Sequence, residues 1–315
     1  MKRTKLAFVA GALLGSVILG SCAGVPSSGG AIRIAGAYAL SPMVTRWAAE
    51  YQRVRPGVIF EISQVGAGRG MDEVLAGEVD LGMVSRSVTA DEKSQGAYAV
   101  PVVRDAVLPT LNSENPVMAE VMAQGLSQEI LAGIFLTGEV TTWGEVVGKP
   151  EVTDEVHVLT RSDVSGAAEL WALYLGGAAQ SDLLGIGAMG DTGLIEAVQR
   201  DPLAIGYNNL GYAFDQASGN PVAGTLVAPI DANGNGSADP DELVPTRHTA
   251  AALIADGKYP SPPARDLLLV TLGKPDGLVQ EFILWILTDG QPYVGEIGYV
   301  TLTPEQVEAS LDLVR

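Results

Sequence analysis

The chain has 315 residues, with 37 Asp and Glu against 19 Lys and Arg for a formal charge of −18. At 47% hydrophobic and 18% charged it has the composition of a packed protein, one bilobed domain or two ordinary ones, and not of a disordered acidic tail. So few and scattered basic residues make nucleic acid an unexpected partner, and one cysteine with two histidines (His157, His248) excludes a disulfide framework, a Cys-rich zinc site and a multi-histidine metal cluster.

Lys2, Arg3 and Lys5 precede an apolar run from Leu6 to Gly20, shorter than the roughly 20 residues that cross a bilayer. The run ends Leu19-Gly20-Ser21-Cys22, which resembles the lipobox of bacterial lipoproteins. That resemblance implies that residues 1–22 hold a lipoprotein signal peptide and that Cys22 becomes a lipid-modified N-terminus. Two or more acyl chains anchor a protein stably where one does not. The mature chain is therefore expected outside the cytoplasmic membrane, tethered to the cell membrane or outer membrane, in the periplasm or on the cell surface. Residues 23–30 (AGVPSSGG) read as a flexible tether.

From Ala31 onward, β-branched runs alternate with helical patterns, which predicts an α/β protein with mostly parallel sheet. Strands are expected at Ile32–Ile34, Val58–Ile62 and Val79–Val84. Ser41-Pro42 is a good N-cap and first-turn pair for a helix carrying Met43, Trp47, Ala48 and Tyr51 on one face. A second helix is expected from Met71 to Ala76. Val100–Pro109 reads as a long apolar strand, Asn112–Pro116 as a break, Val156–Leu159 as a strand and Ala168–Leu175 as a helix. Pro221–Ile230 is again extended. Crossings near 107 and 223 would divide the chain into one lobe of residues 31–107 and 223–315 and another of 108–222, and two crossings make a hinge. Trp47, Trp143, Trp171 and Trp285 have apolar neighbours and are expected in the core.

Gly66-Ala67-Gly68-Arg69-Gly70 lacks the last glycine of the dinucleotide fingerprint, and no Gly-Lys-Ser/Thr follows, so it is not a nucleotide loop. A strand, a glycine turn and a helix nonetheless present backbone N–H groups and a positive dipole end to a small anion. The turns Ala37–Pro42 and Arg161–Ala167 have the same character, so three helix N-termini are expected to converge on one cleft. No Gly-x-Ser-x-Gly elbow occurs, and two isolated histidines make no case for a Ser/His/Asp triad.

The stretches GAYALSPMVTRWAAEYQRVRPGV, VGAGRGMDEVLAGEVDLGMVSR, RSDVSGAAELWALYL, DPLAIGYNNLGYAF and GKYPSPPARDLLL resemble, in order, the blocks of the phosphate-binding proteins that serve bacterial phosphate ABC importers. The resemblance implies a type II periplasmic-binding fold, two α/β lobes with a two-strand hinge and an oxyanion gripped between them. Carried over by position, it implies ligand contacts from Arg161, Asp163, Ser165 and Gly166 in one lobe. From the other it implies Gly68, Ser85, Arg86 and the amides of Ala39 and Leu40. Where the family usually offers hydroxyls, this chain has Ala37, Ala39, Ala67 and Ala167. Charge-assisted hydrogen bonds to an anion are worth about 1.5–3 kcal/mol each, so the losses call for replacement donors. Arg69, Arg86 and the Tyr38 hydroxyl are the candidates, since a guanidinium fork grips two oxygens of one anion.

Outside these blocks, the segment from Asp231 to Glu242 (DANGNGSADPDE) matches the calcium-loop pattern D-x-[DN]-x-[DN]-G-x5-E at every specified position. Asp231, Asn233, Asn235, Asp239 and Glu242, with the carbonyl of Ser237, would bind one structural Ca2+. Extended and proline-containing flanks predict an isolated loop inserted in the lobe that carries the termini, and the alternative is a surface turn rich in Asx and Gly.

The function expected is a lipid-anchored solute-binding protein that captures phosphate or a related tetrahedral oxyanion and hands it to ABC permease subunits. It is expected to be a monomer, not an enzyme, with no redox or nucleotide cofactor. The alternative is a sensory or structural envelope lipoprotein that kept the fold and lost the ligand, which the missing hydroxyls motivate.

Overall fold

The computed structural model of the protein describes residues 29–315. The leader, Cys22 and residues 23–28 of the expected tether lie outside the described residues.

The strands are β1 (Ala31–Gly36), β2 (Ile59–Gln64), β3 (Leu81–Val84), β4 (Ala97–Asn112), β5 (Leu126–Ser127), β6 (His157–Arg161), β7 (Ile186–Ala188), β8 (Ala204–Asn209), β9 (Thr225–Val227), β10 (Ile230–Asp231) and β11 (Ala264–Leu272). All but β5 and β10 form one sheet in the order β2-β1-β3-β11-β4-β8-β6-β7, with β9 also on β4. The outer strands are parallel: β1 pairs with β2 and β3, and β6 with β7 and β8. The middle is antiparallel, because β11 runs against both β3 and β4, and β8 and β9 run against β4. Helix-crossover strands and strands that merely pass between halves thus obey different pairings.

β4 is the spine of the molecule. Its first half pairs with β11 and gives Val100, Val102 and Val103 to a core around Trp47, Phe282 and Ile286. Its second half pairs with β8 and gives Val107, Leu108 and Leu111 to a separate core around Phe135, Trp171 and Tyr207. One strand serving two hydrophobic cores is what makes two lobes. The second core stacks Trp171 on Tyr207 at 5.6 Å between ring centroids, with Phe135 edge-on to both. Trp47, Trp143, Trp171 and Trp285 are all buried, as their apolar neighbours predict.

The chain's return to the first lobe differs from the expectation at 223. β9 pairs with the far end of β4 (Leu111 opposite Leu226), β10 pairs with β5, and Val227, Ile230, Val244, Leu253 and Tyr259 join the second core. The chain crosses back only on entering β11, where Ala264 faces Ala106 and Arg265 faces Asp105. The loop 231–242 consequently belongs to the second lobe and not to the one carrying the termini. The extended character of 221–230 is local, whereas its pairing partner is set by burial of Val227 and Ile230.

Two helix starts also shift. A 3-10 turn, Tyr38–Leu40, runs directly into the helix Ser41–Val54, so Ser41 lies inside the first turn without capping it and its hydroxyl accepts from Gln64 instead. The glycine turn is tighter than expected: Gly66, at φ 87°, caps a helix Ala67–Leu75 that already contains Gly68 and Gly70. A Cβ at Gly70 would stand 2.8 Å from the carbonyl oxygen of Ala35, so this helix packs directly on the backbone of β1.

Candidate functional site

Between the lobes, loops from both sides line a small cavity of about 10 Å³. The first lobe contributes Ala37, Tyr38 and Ala39, then Gly66 and Ala67 at the glycine turn, and Ser85 after β3. The second contributes Arg161, Ser165 and Gly166 after β6, Asp191 in the first turn of the helix Gly190–Arg200, and Asn209 at the end of β8. The expected convergence of helix starts is thus present, and Gly190–Arg200 adds one that the linear pattern did not mark.

Arg161 is the central cation. Its Nε and Nη2 donate to the two carboxylate oxygens of Asp163 at 2.8 and 2.6 Å, and its Nη1 donates to Asp191 at 2.8 Å. The guanidinium carbon lies 5.2 Å from the ring centroid of Tyr38 across the cleft. Burial works against its charge, but Asp191 and Asp163 outweigh that and hold its pKa above the ordinary value. Burial pushes the Asp163 carboxyl up, and the Arg161 hydrogen bonds and charge overcome it, leaving Asp163 below the usual carboxylate range. Asp163 also accepts from the Gly190 N–H at 3.0 Å, and Gln180 clamps the loop by donating to the Asp163 carbonyl and accepting from the Ser165 N–H. Ser165 is the N-cap of the helix Gly166–Leu175, its Oγ accepting from the Ala167 and Ala168 N–H groups.

A second buried cation stands behind the first. Arg265, on β11, donates to the Gly166 carbonyl at 2.8 Å, to the Asn209 side-chain oxygen, and at 3.4 Å to Asp105 on β4. Burial pushes the Asp105 carboxyl up to about 6, with Arg265 pulling the other way. These hinge residues join the two crossings to the cleft wall.

The structure brings together some of the expected site residues and separates others. Ala39, Ser85, Arg161, Ser165 and Gly166 line the cavity, and Asp163 acts through Arg161. Leu40 does not: its N–H donates to the Ala37 carbonyl inside the 3-10 turn, and its side chain is core. Gly68 faces the side chain of Val164, while Gly66 and Ala67 line the cavity in its place. Arg69 projects to solvent with its side chain 72% exposed and pairs with Glu73 one turn on, so it replaces no missing donor. Arg86 is bound by both oxygens of Glu92 and approaches Glu169 of the other lobe at 3.4 Å, a bridge between lobes outside the cavity. Asp105, Asp191, Asn209 and Arg265 carry no motif that marks them in the linear sequence. Asn209 and Arg265 lie within family-like blocks, but no linear signal tells which polar residue of a block faces a cleft.

In the loop 231–242, the Asp231 carboxylate accepts from the N–H groups of Gly234, Asn235 and Gly236, and Glu242 reaches back to the N–H groups of Ala232 and Asp239. The Asn233 and Asn235 amides donate to Asp239. Ser237 donates its N–H to Asn235. Among the described residues no three His, Cys, Asp or Glu side chains are grouped to hold a metal ion.

The family description "PBP superfamily domain" matches residues 23–290, most of the chain. The chain belongs to the PBP superfamily. Among curated members, it is 25% identical over 313 residues to the phosphate-binding protein PstS of Xylella fastidiosa (strain Temecula1), covering 87% of this chain and 83% of that one. It is 27% identical over 337 residues to PstS of Methanocaldococcus jannaschii, covering 90% and 85%. Among solved PBP-type structures, an ABC-type phosphate transport receptor from Vibrio cholerae superposes with a TM-score of 0.64 at 20% identity, covering 86% of this chain and all of that one. A substrate-binding protein from Clostridium perfringens with bound phosphate superposes at 0.69 and 22% identity, covering 87% of this chain and all of the other. At such identities the structural likeness speaks to the fold: a two-lobed type II periplasmic-binding architecture.

Proposed function

We propose that this PBP-superfamily protein captures phosphate, or a related tetrahedral oxyanion, between its lobes and delivers it to the permease subunits of an ABC importer. The observation that carries the proposal is the placement of Arg161 between the helix starts of both lobes, with Ser85, Ser165 and backbone N–H groups around it. A guanidinium, hydroxyls and helix N-termini form a donor set suited to an oxyanion. The named activities of the curated relatives support the same ligand. The role is binding, not catalysis. Isothermal calorimetry on the purified protein tests it: phosphate and arsenate should give saturable heat, and Arg161→Ala should weaken binding at least about tenfold, or 1.4 kcal/mol. No heat with any tetrahedral oxyanion would favour a sensory or structural envelope role.

The proposal extends to the monomeric state, to extracytoplasmic placement with a lipid on Cys22, and to one structural calcium ion in the loop 231–242. The first rests on the cavity being lined from both lobes of a single chain. The second rests on the leader pattern Leu19-Gly20-Ser21-Cys22, and the third on the twelve-residue pattern of the loop. In binding an ion, Asn233 and Asn235 would turn their amide oxygens inward, where their nitrogens now donate to Asp239.

A further inference from the structure

Asp191 is a carboxylate where an anion is meant to bind. It is fully buried. One oxygen accepts from Arg161 Nη1 at 2.8 Å and from the Asn209 side-chain amide at 2.7 Å, and the other accepts from the Asn209 backbone N–H at 2.9 Å. It sits in the first turn of the helix Gly190–Arg200, at the positive end of the dipole. A guanidinium nitrogen, an amide side chain, a backbone N–H and a helix start are the groups a bound oxyanion would seek.

The balance of charge points the same way. The charges packed there are buried Asp105 and Asp191 and half-buried Asp163 against buried Arg161 and Arg265, an excess of one negative charge before any ligand is counted. Like charges in a dry site repel strongly.

We infer that Asp191 is an internal competitor for the anion: its carboxylate occupies one donor of Arg161 Nη1 and offsets the guanidinium charge, so an incoming oxyanion competes with it for Arg161. The inference rests on the phosphate reading. A competitor lowers apparent affinity by the fraction of molecules whose site is accessible, so a self-paired form favoured about tenfold costs about tenfold in affinity. Asp191 thereby sets the anion concentration at which the protein loads.

The test is calorimetric titration of inorganic phosphate, and separately of sulfate, into the wild type, Asp191→Asn and Asp191→Ser, with melting curves to confirm that each is folded. Both variants remove the charge and keep an acceptor for the Asn209 N–H. They should bind phosphate at least about tenfold more tightly than the wild type, with sulfate tightened in parallel. A wild type that gives no heat beside variants that bind would support the inference in its strongest form. Phosphate binding that is unchanged or weaker in folded variants overturns it while leaving the phosphate reading standing. A loss for phosphate with a gain for sulfate would overturn it too, making Asp191 an acceptor for a protonated ligand. Absence of heat in all three proteins overturns the phosphate reading and this inference with it, and failure of both variants to fold makes the carboxylate a folding requirement and overturns the inference alone.

Discussion

Gly166 of the second lobe lies against Ser85 of the first so closely that a Cβ at Gly166 would stand 2.7 Å from the Ser85 carbonyl oxygen and closer still to its hydroxyl. The lobes therefore meet glycine to serine at the edge of the cavity, and closure depends on the absence of a side chain. Gly166→Ala would favour the helix that begins there, since Ala is the better helix former. It should nevertheless hold the lobes apart and weaken phosphate binding at least about tenfold. Calorimetry decides this, and an alanine variant of wild-type affinity would show that the contact yields.

The hinge should carry a pH signature. Burial raises Asp105 to about 6 from an ordinary value of 3.8. A raised acid contributes stability that is fully present below its unfolded value and is lost as pH rises through the folded one. The loss from this group falls between about pH 4 and 6. Asp105→Asn cannot titrate, so its melting temperature relative to the wild type should climb across that window. Parallel pH profiles for the two proteins would count against a raised Asp105.

Calcium should stabilise the second lobe through the loop 231–242. At 100-fold excess over Kd a bound ion adds about 2.7 kcal/mol, several degrees in melting temperature for a chain of this size. Glu242→Gln should abolish most of the rise and leave phosphate affinity in saturating calcium near wild type, because the loop and the cleft share no residue. Melting curves indifferent to both EDTA and calcium would make the segment a surface turn held by its own Asx and Glu hydrogen bonds.

Cys22→Ser should release the protein from membranes or leave its leader uncleaved. Fractionation of cells, with mass spectrometry of the N-terminus, reads both outcomes. A variant that stays with the membrane and still loses its leader would rule out lipid attachment at this position.

Much of the protein follows from local chemistry that a linear chain displays. Apolar runs and turn residues mark β1, β2, β3, β4 and β6, a polar break marks the end of β4, and helix-start glycines and serines mark the loops that reach the cleft. These signals are short-range, so they survive without knowledge of the fold. Arg161, Asp163 and Ser165 are neighbours in sequence, and both the Arg161–Asp163 pair and the Ser165 cap on Ala167 and Ala168 follow from one turn of backbone. What the tertiary structure decided is long-range pairing. The chain returns to the first lobe at 264 and not at 223 because Val227 and Ile230 find partners in the second core. Arg69 and Arg86 are equally close to ligand loops in sequence, yet one faces water and the other meets Glu92 and Glu169. Asp191 and Asn209 lie 18 residues apart and meet only because a helix and β8 pack side by side. A buried charge is placed by whatever distant partner can compensate its lost hydration, and that partner is chosen by packing, not by spacing along the chain.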